Sequence, residues 1–322
     1  GKQWPAVYVI PGYGGRFDDR HGGAADYAHT LATPGVPDVA PNAVYIVLDP
    51  ESPLGHHGFV NSPNHGPRGT ALVTELIPHL EKEFRLVAKP EARLLTGHSS
   101  GGWTSLWLQL NHPNVFGGCW SSAPDPVDFS AFQLTDLYHD SNIYESADGQ
   151  VCGSFRRPKN SQGEMMVLMT VRQEGQMEHA IDPTGGSGQQ WDAWDAMFSP
   201  HDEKIGMPKP MYDGVTGNID MVVVTNWSHF DIAKMVTGDW SKYGPVMINE
   251  VHLACGEWDS YYLNRAVEAF KAKVDALRGD APGSGYIILV PKATHETLLG
   301  VVGTRFNTEM RQHLIDHGLQ DK

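Results

Sequence analysis

The chain has 322 residues, of which 40% are hydrophobic and 19% charged, and its formal net charge at pH 7 is −14. This composition excludes a disordered chain, and no apolar run approaches the roughly 18 residues that a membrane-spanning helix needs. The excess of acidic over basic residues argues against nucleic acid or an anionic membrane as a partner, because both would repel the protein. Three cysteines, Cys119, Cys152 and Cys255, do not make a disulfide framework.

Short apolar runs alternate with segments of helical spacing along the chain. The apolar runs predict strands at residues 6–10, 44–48, 94–96, 119–120, 251–255 and 287–290, and the helical spacing predicts helices over 69–84, 103–111, 262–277 and roughly 296–317. This alternation predicts an α/β fold, with a mostly parallel sheet and helices on both faces. The right-handed crossover rule places the carboxyl ends of the strands along one edge, where such sheets bind ligands.

Residues 124–246 interrupt this alternation between two core strands. They are rich in Asp, Gly, Pro and Met and include Trp191, Trp194, Trp227 and Trp240. A structureless loop of this length is not expected in a compact domain. We interpret the segment as an insertion that caps the strand edge, with residues 1–123 and 247–322 forming the core. The alternative is a helical elaboration packed to one side.

A candidate nucleophile lies in Gly97-His98-Ser99-Ser100-Gly101, which fits the pattern G-x-S-x-G. The pattern follows a short apolar run and opens a helix, which is the setting of a nucleophile elbow. Ser99 would then lie at a helix N-terminus, where backbone N–H groups stabilise a developing anion. The alternative is a glycine-rich helix start without catalysis.

An oxyanion hole needs two N–H donors near this serine. The residue after the nucleophile, Ser100, supplies one of them in the elbow pattern. The loop after the first strand supplies the other, and we choose the N–H of Tyr13 in Pro11-Gly12-Tyr13-Gly14-Gly15. The alternative is a glycine-rich turn without a ligand.

A serine nucleophile also needs a base and an acid that orients the base, in the chain order Ser, acid, His. His295 follows the last predicted strand, and Asp259 follows the strand before it, with Glu257 as a rival acid. Two alternatives stay open, since His295 can cap the final helix and Asp259 can be an ordinary N-cap.

Other histidines suggest a metal site, but their spacing does not support one. His56, His57, His65 and His98 lack an H-E-x-x-H arrangement, and no C-x-x-C pair accompanies them. A serine-based triad needs no metal, so we expect neither a metal nor another cofactor. We expect His98, inside the elbow, to pack there or to line a pocket.

These motifs resemble the putative-esterase branch of the α/β-hydrolases, which includes esterase D-like enzymes, feruloyl and acetylxylan esterases and mycolyltransferases. The resemblance covers most of the chain and rests on four segments: Tyr8–Gly15, Gly97–Gly102, Asn61–Pro67 with Glu75–Pro78, and Gly256–Leu263. It implies an oxyanion N–H at Tyr13, the nucleophile at Ser99, the acid at Asp259 and the base at His295. By the same resemblance, Asn64, His65 and Trp258 are candidates to contact substrate.

The chain departs from this family in three places. Members usually have two strands before the one that starts here at Ala6, so either the sheet is shorter at that edge or the native chain is longer. Members commonly have glycine before the final histidine and an aromatic residue after it, whereas here His295 follows Thr294 and precedes Glu296. The long insertion, after the equivalent of the sixth strand, exceeds that of minimal members.

We therefore expect a serine carboxylic-ester hydrolase without a cofactor. The expected partner is a small-molecule or carbohydrate ester, of acetyl or feruloyl type, rather than nucleic acid or membrane. An acyltransferase with the same triad and a non-catalytic binding protein are the alternatives. The sequence does not indicate an oligomeric state or a location, although export suits a polysaccharide substrate.

Overall fold

The computed structural model describes residues 1–19 and 23–321. Its strands are β1 (Ala6–Ile10), β2 (Val44–Val47), β3 (Asn61–Ser62), β4 (Gly66–Pro67), β5 (Arg93–His98), β6 (Gly118–Ser122), β7 (Gly153–Pro158), β8 (Met165–Thr170), β9 (His201–Asp202), β10 (Met207–Pro208), β11 (Val251–Gly256) and β12 (Tyr286–Val290). Its helices are α1 (Ala24–Leu31), α2 (Val36–Val39), α3 (Arg68–Ala71), α4 (Ile77–Phe84), α5 (Ser100–Asn111), α6 (Val171–Ile181), α7 (Gln190–Phe198), α8 (Met221–Trp227), α9 (Ile232–Gly238), α10 (Trp240–Asn249), α11 (Leu263–Arg278) and α12 (Leu298–Asp316). A π-helical segment, Leu72–Leu76, joins α3 to α4, and short 3-10 turns span Pro90–Ala92 and Phe129–Ala131.

Six of these strands form one sheet in the order β12-β11-β6-β5-β1-β2, and every neighbouring pair in it is parallel. The predicted strands are confirmed, as is the α/β class. Strand β1 is buried along its whole length, as expected for a strand covered on both faces. Because all strands run the same way, the residues after β1, β5, β6, β11 and β12 meet at one edge of the sheet.

The direction of the crossovers explains how the helices are distributed. The chain moves one way along the sheet from β1 to β2, and the opposite way from β2 through β5 to β12. Right-handed connections in opposite directions place their helices on opposite faces. In agreement, α2 packs against α12, while α10 packs against α5 and α11. None of the helices in the described ranges is both long and apolar enough to cross a membrane.

The segment between β6 and β11 is folded, and it contains the hairpins β7–β8 and β9–β10 as well as α6 to α10. Its tryptophans Trp191, Trp194 and Trp227 are buried and contact Phe132 through their rings. They therefore form the apolar interior of this segment. Helix α10 packs on the core helices, so the domain boundaries 124 and 246 stay a prediction.

Candidate active site

The chain makes a sharp turn at Ser99, between the end of β5 and the start of α5. The backbone of Ser99 has φ 59° and ψ −127°, a region that side-chain-bearing residues rarely adopt. The neighbouring glycines permit the turn, because a Cβ at Gly97 would lie 2.1 Å from the carbonyl oxygen of Gly101, and a Cβ at Gly101 would lie 2.0 Å from that of Ile10. The local geometry is therefore that of a nucleophile elbow.

The two other candidate triad residues meet at the same edge of the sheet. The Nδ1 atom of His295, in the loop after β12, lies 2.9 Å from Oδ2 of Asp259, in the loop after β11. The second carboxylate oxygen, Oδ1, accepts the N–H groups of Tyr261 at 2.9 Å and Leu263 at 3.1 Å. This carboxylate therefore binds the imidazole through one oxygen and backbone N–H groups at the start of α11 through the other. The rival acid, Glu257, is exposed.

The surroundings of His295 favour its protonated form. Burial lowers the pKa of the imidazole, but the charge of Asp259 and its hydrogen bond raise it, and the charges of Asp125 and Glu296 add to this. The net result is a pKa above the ordinary value of 6.5. A base with a raised pKa accepts a proton readily, which suits general-base catalysis near neutral pH.

A second imidazole, that of His98, packs against the first. The ring centroids of His98 and His295 are 4.3 Å apart, and Nδ1 of His98 lies 2.9 Å from Oγ of Ser122. Burial, together with the charge of the nearby His295, lowers the pKa of His98 to about 3. The neighbouring ring is therefore neutral and does not repel a proton on His295.

The loop after β1 lies directly beside Ser99. A Cβ at Gly12 would be 3.2 Å from Cβ of Ser99 and 3.9 Å from its Oγ. Within the described ranges, neither the N–H of Tyr13 nor that of Ser100 donates to a protein acceptor. The Tyr13 side chain reaches across the opening and donates from Oη to Oε1 of Gln189 at 2.6 Å. Tyr13, in the loop beside Ser99, and Ser100, directly after it, thus keep N–H groups without a protein acceptor, as the donors of an oxyanion hole would.

These residues line a cavity of about 370 Å³. Gly12, Tyr13, His98, Ser99 and His295 all contribute to its wall. The rest of the wall includes residues that the sequence analysis did not name as site residues, most of them from the segment between β6 and β11: Asp125, Gln133, Glu174, Met177, Glu178, Gln189, Gln190, Trp194, Tyr261 and Leu263. Only Asp125 has a recognisable signal, because it follows a sheet strand at the edge where ligands bind.

The comparisons with known proteins agree with this geometry. Residues 1–205 match the model of the Esterase family, described as "Putative esterase". The chain belongs to this family. It is a serine carboxylic-ester hydrolase, and this confirms the expected class of enzyme. No curated protein has significant sequence similarity to this esterase.

The esterase is similar to solved structures at low sequence identity. A ferulic acid esterase is 13% identical, with a TM-score of 0.52, over 97% of this chain and 86% of that one. An S-formylglutathione hydrolase from Agrobacterium tumefaciens is 12% identical, with a TM-score of 0.47, over 98% of this chain and 84% of that one. The first of these likenesses supports the α/β-hydrolase fold predicted from the sequence.

Three residues expected to contact substrate in the esterase lie outside this cavity. Asn64 donates from Nδ2 to the carbonyl oxygens of Ala196, at 3.3 Å, and Ser199, at 3.0 Å, and so ties its loop to the end of α7. The adjacent His65 contacts Oγ of Ser52 at 3.4 Å. Trp258 packs its ring close to Gly163.

The histidines considered as metal ligands have protein partners. Nε2 of His56 lies 3.1 Å from the carbonyl oxygen of Pro11, and Nδ1 of His57 accepts the N–H of Phe59 at 3.1 Å. Across residues 1–19 and 23–321, no group of three or more His, Cys, Asp or Glu side chains is arranged to hold a metal ion. The cysteines Cys119, Cys152 and Cys255 are free and buried.

Proposed function

We propose that this esterase cleaves its substrates through an acyl-enzyme, with Ser99 as nucleophile, His295 as base and Asp259 as the acid that orients the base. The observation that carries the proposal is the 2.9 Å contact between His295 and Asp259 beside the cavity that Ser99 lines. A proton on Nδ1 that is held by the carboxylate leaves Nε2 free to accept the serine proton.

The reaction proceeds in two halves. Oγ of Ser99 attacks the ester carbonyl carbon while its proton passes to Nε2 of His295, and the carbonyl oxygen becomes an oxyanion bound by the N–H groups of Tyr13 and Ser100. The carbon–oxygen bond to the alcohol then breaks, and His295 gives the alcohol its proton. Water next loses a proton to His295 and attacks the acyl group. The bond between the acyl carbon and Oγ of Ser99 then breaks, the acid departs, and His295 returns the proton to Oγ.

The proposed substrates are short acyl esters or carbohydrate-linked esters of acetyl or feruloyl type. The cavity of about 370 Å³ falls within the usual range of about 300–1,000 Å³ for small-molecule sites. A protein of similar fold is a ferulic acid esterase, which supports including aromatic acyl groups. Residues 124–246 act as the cap in this proposal, since most of the residues opposite the triad belong to them.

The test compares hydrolysis of p-nitrophenyl acetate and butyrate by the wild type and by Ser99→Ala. We expect a loss of at least about 10³-fold, because this change removes the nucleophile. The matched control is Ser161→Ala, at an exposed serine, which should retain the wild-type rate. Equal rates for Ser99→Ala and wild type would contradict the proposal. Product transferred to an added glycan in excess of hydrolysis would identify an acyltransferase instead.

A further inference from the structure

The wall of the cavity includes three carboxyl groups. Asp125 follows β6, and Glu174 and Glu178 lie one turn apart on α6, so both face the same way. Among the described residues that line the cavity there is no lysine or arginine. No lysine or arginine in the described part of the cavity therefore balances these carboxyl groups, although the imidazole of His295 lowers the pKa of Asp125.

The hydrogen-bond partners of these carboxyl groups are all neutral. Oδ2 of Asp125 accepts from Oγ of Ser100 at 2.7 Å and from Nε1 of Trp194 at 2.8 Å. Oε2 of Glu174 accepts from Nε1 of Trp191 at 3.0 Å. Neutral donors stabilise a carboxylate less than an opposite charge does.

Glu178 is held in a similar way. Its two oxygens accept the backbone N–H groups of Trp191 and Asp192, at 3.1 and 2.9 Å, at the start of α7. Burial nevertheless raises the pKa of Glu178 to about 8, and burial also raises the pKa values of Asp125 and Glu174. Such shifts are typical of carboxyl groups that lack a counter-charge.

An amide in the same wall also lacks a partner. Gln133 lines the cavity, is only 4% exposed and has a backbone φ of 54°. Its Oε1 has no hydrogen-bond partner in the structure. A buried polar atom without a partner costs free energy, so this position is suited to a donor that arrives with a ligand.

We propose that the cavity selects esters that carry a positively charged ammonium group. This inference rests on the proposed function, because it concerns the substrate of the same site. A cation supplies the counter-charge that Glu174 and Glu178 lack and so favours the ionised form of their carboxyl groups, and an ammonium N–H can also donate to the amide oxygen of Gln133. An anionic substrate finds no lysine or arginine among the described residues of this wall to bind its charge, and the net charge of −14 attracts cations from a distance.

The ammonium group can belong to the acyl part or to the alcohol part of the ester, and matched probes distinguish the two. For the acyl part, p-nitrophenyl 6-aminohexanoate is compared with p-nitrophenyl heptanoate, which has a methyl group in place of the ammonium, and with the anionic p-nitrophenyl monoadipate. For the alcohol part, S-[2-(dimethylamino)ethyl] thioacetate, which is protonated at neutral pH and so carries an N–H group, is compared with S-(3-methylbutyl) thioacetate, its neutral isostere.

In one of the two comparisons, acyl or alcohol, we expect kcat/KM for the cationic ester to exceed that of its neutral isostere at least about tenfold. A tenfold ratio corresponds to ~1.4 kcal/mol. The monoadipate should be the poorest acyl substrate. Glu174→Gln should reduce the cation preference at least about threefold, because it removes a charge while keeping the shape of the side chain. The matched control is Glu203→Gln, which makes the same change at an exposed glutamate away from the cavity and should leave the preference unchanged.

Two outcomes would overturn the inference, and they are distinguishable. If the neutral esters are hydrolysed and neither comparison shows a preference for the cationic ester, the inference is refuted but the proposed function is not. Hydrolysis of no ester at all would refute the proposed function and the inference with it. Hydrolysis of the neutral esters by Glu174→Gln shows that this variant is folded.

Discussion

The strained backbone at Ser99 predicts that stability and activity conflict at this residue. At φ 59° and ψ −127°, a side-chain-bearing residue costs of order 1–3 kcal/mol, and glycine is the residue that adopts this region readily. A glycine also adds flexibility to the unfolded chain, which costs about 0.4–1 kcal/mol. Ser99→Gly should therefore stabilise the esterase by a net ~0.5–2 kcal/mol, whereas Ser99→Ala keeps the Cβ and the strain.

Urea unfolding of the two variants beside the wild type measures this difference. Both variants lack the proposed nucleophile, so both should lose hydrolysis of p-nitrophenyl acetate, and only their stabilities should differ. We expect Ser99→Ala to match the wild type within about 0.5 kcal/mol, as for substitutions that remove no packing or strain. If Ser99→Gly were no more stable than Ser99→Ala, the elbow would store no strain and the reasoning would be refuted.

Two further predictions concern the base and the elbow. Because His295 must be neutral to act and its pKa is raised above 6.5 by Asp259, kcat/KM should fall as the pH drops through a value above 6.5. Asp259→Asn should lower kcat by about 10⁴ and move this fall to lower pH, and a flat profile down to pH 4 would contradict the assignment. Gly101→Ala places a Cβ 2.0 Å from the carbonyl oxygen of Ile10 and should destabilise the fold by about 1–3 kcal/mol in urea unfolding. Its control, Gly303→Ala, adds a Cβ in open space on α12 and should gain about 0.5–1 kcal/mol; equal effects of the two changes would refute the close-packed elbow.

Most of the core could be predicted from the sequence, because its signals are local. Strands such as β1 and β12 are short apolar runs, and α11 and α12 have helical spacing over many residues. The segment 124–246 gave no such signal. Its hairpin β7–β8 exposes apolar residues, and its helices α8 and α9 have only seven residues each, too few for a clear period.

The candidate site likewise contains residues that the sequence could predict and residues that it could not. The chain order of Ser99, Asp259 and His295 follows from where strands end, so the sequence could predict their approach. Asn64 and His65 were expected to contact substrate from a family resemblance, which carries no information on how their side chains pack. In the structure, the Asn64 side chain donates to carbonyl oxygens at the end of α7. Glu174, on α6, lacked any local pattern, because it reaches the cavity through the tertiary packing of the insertion.

Asp125 links two properties of the cavity, the proposed selection of cationic substrates and the pKa of the base His295. It belongs to the wall that the proposed cation would face, yet it also holds Oγ of Ser100, the residue after the nucleophile, at 2.7 Å. Its charge contributes to the raised pKa of His295. A cation bound at Asp125 would offset part of this charge and so lower the pKa of the base. If the cavity selects cationic esters as proposed, the selection of substrate charge and the strength of the base are coupled through the carboxylate of Asp125.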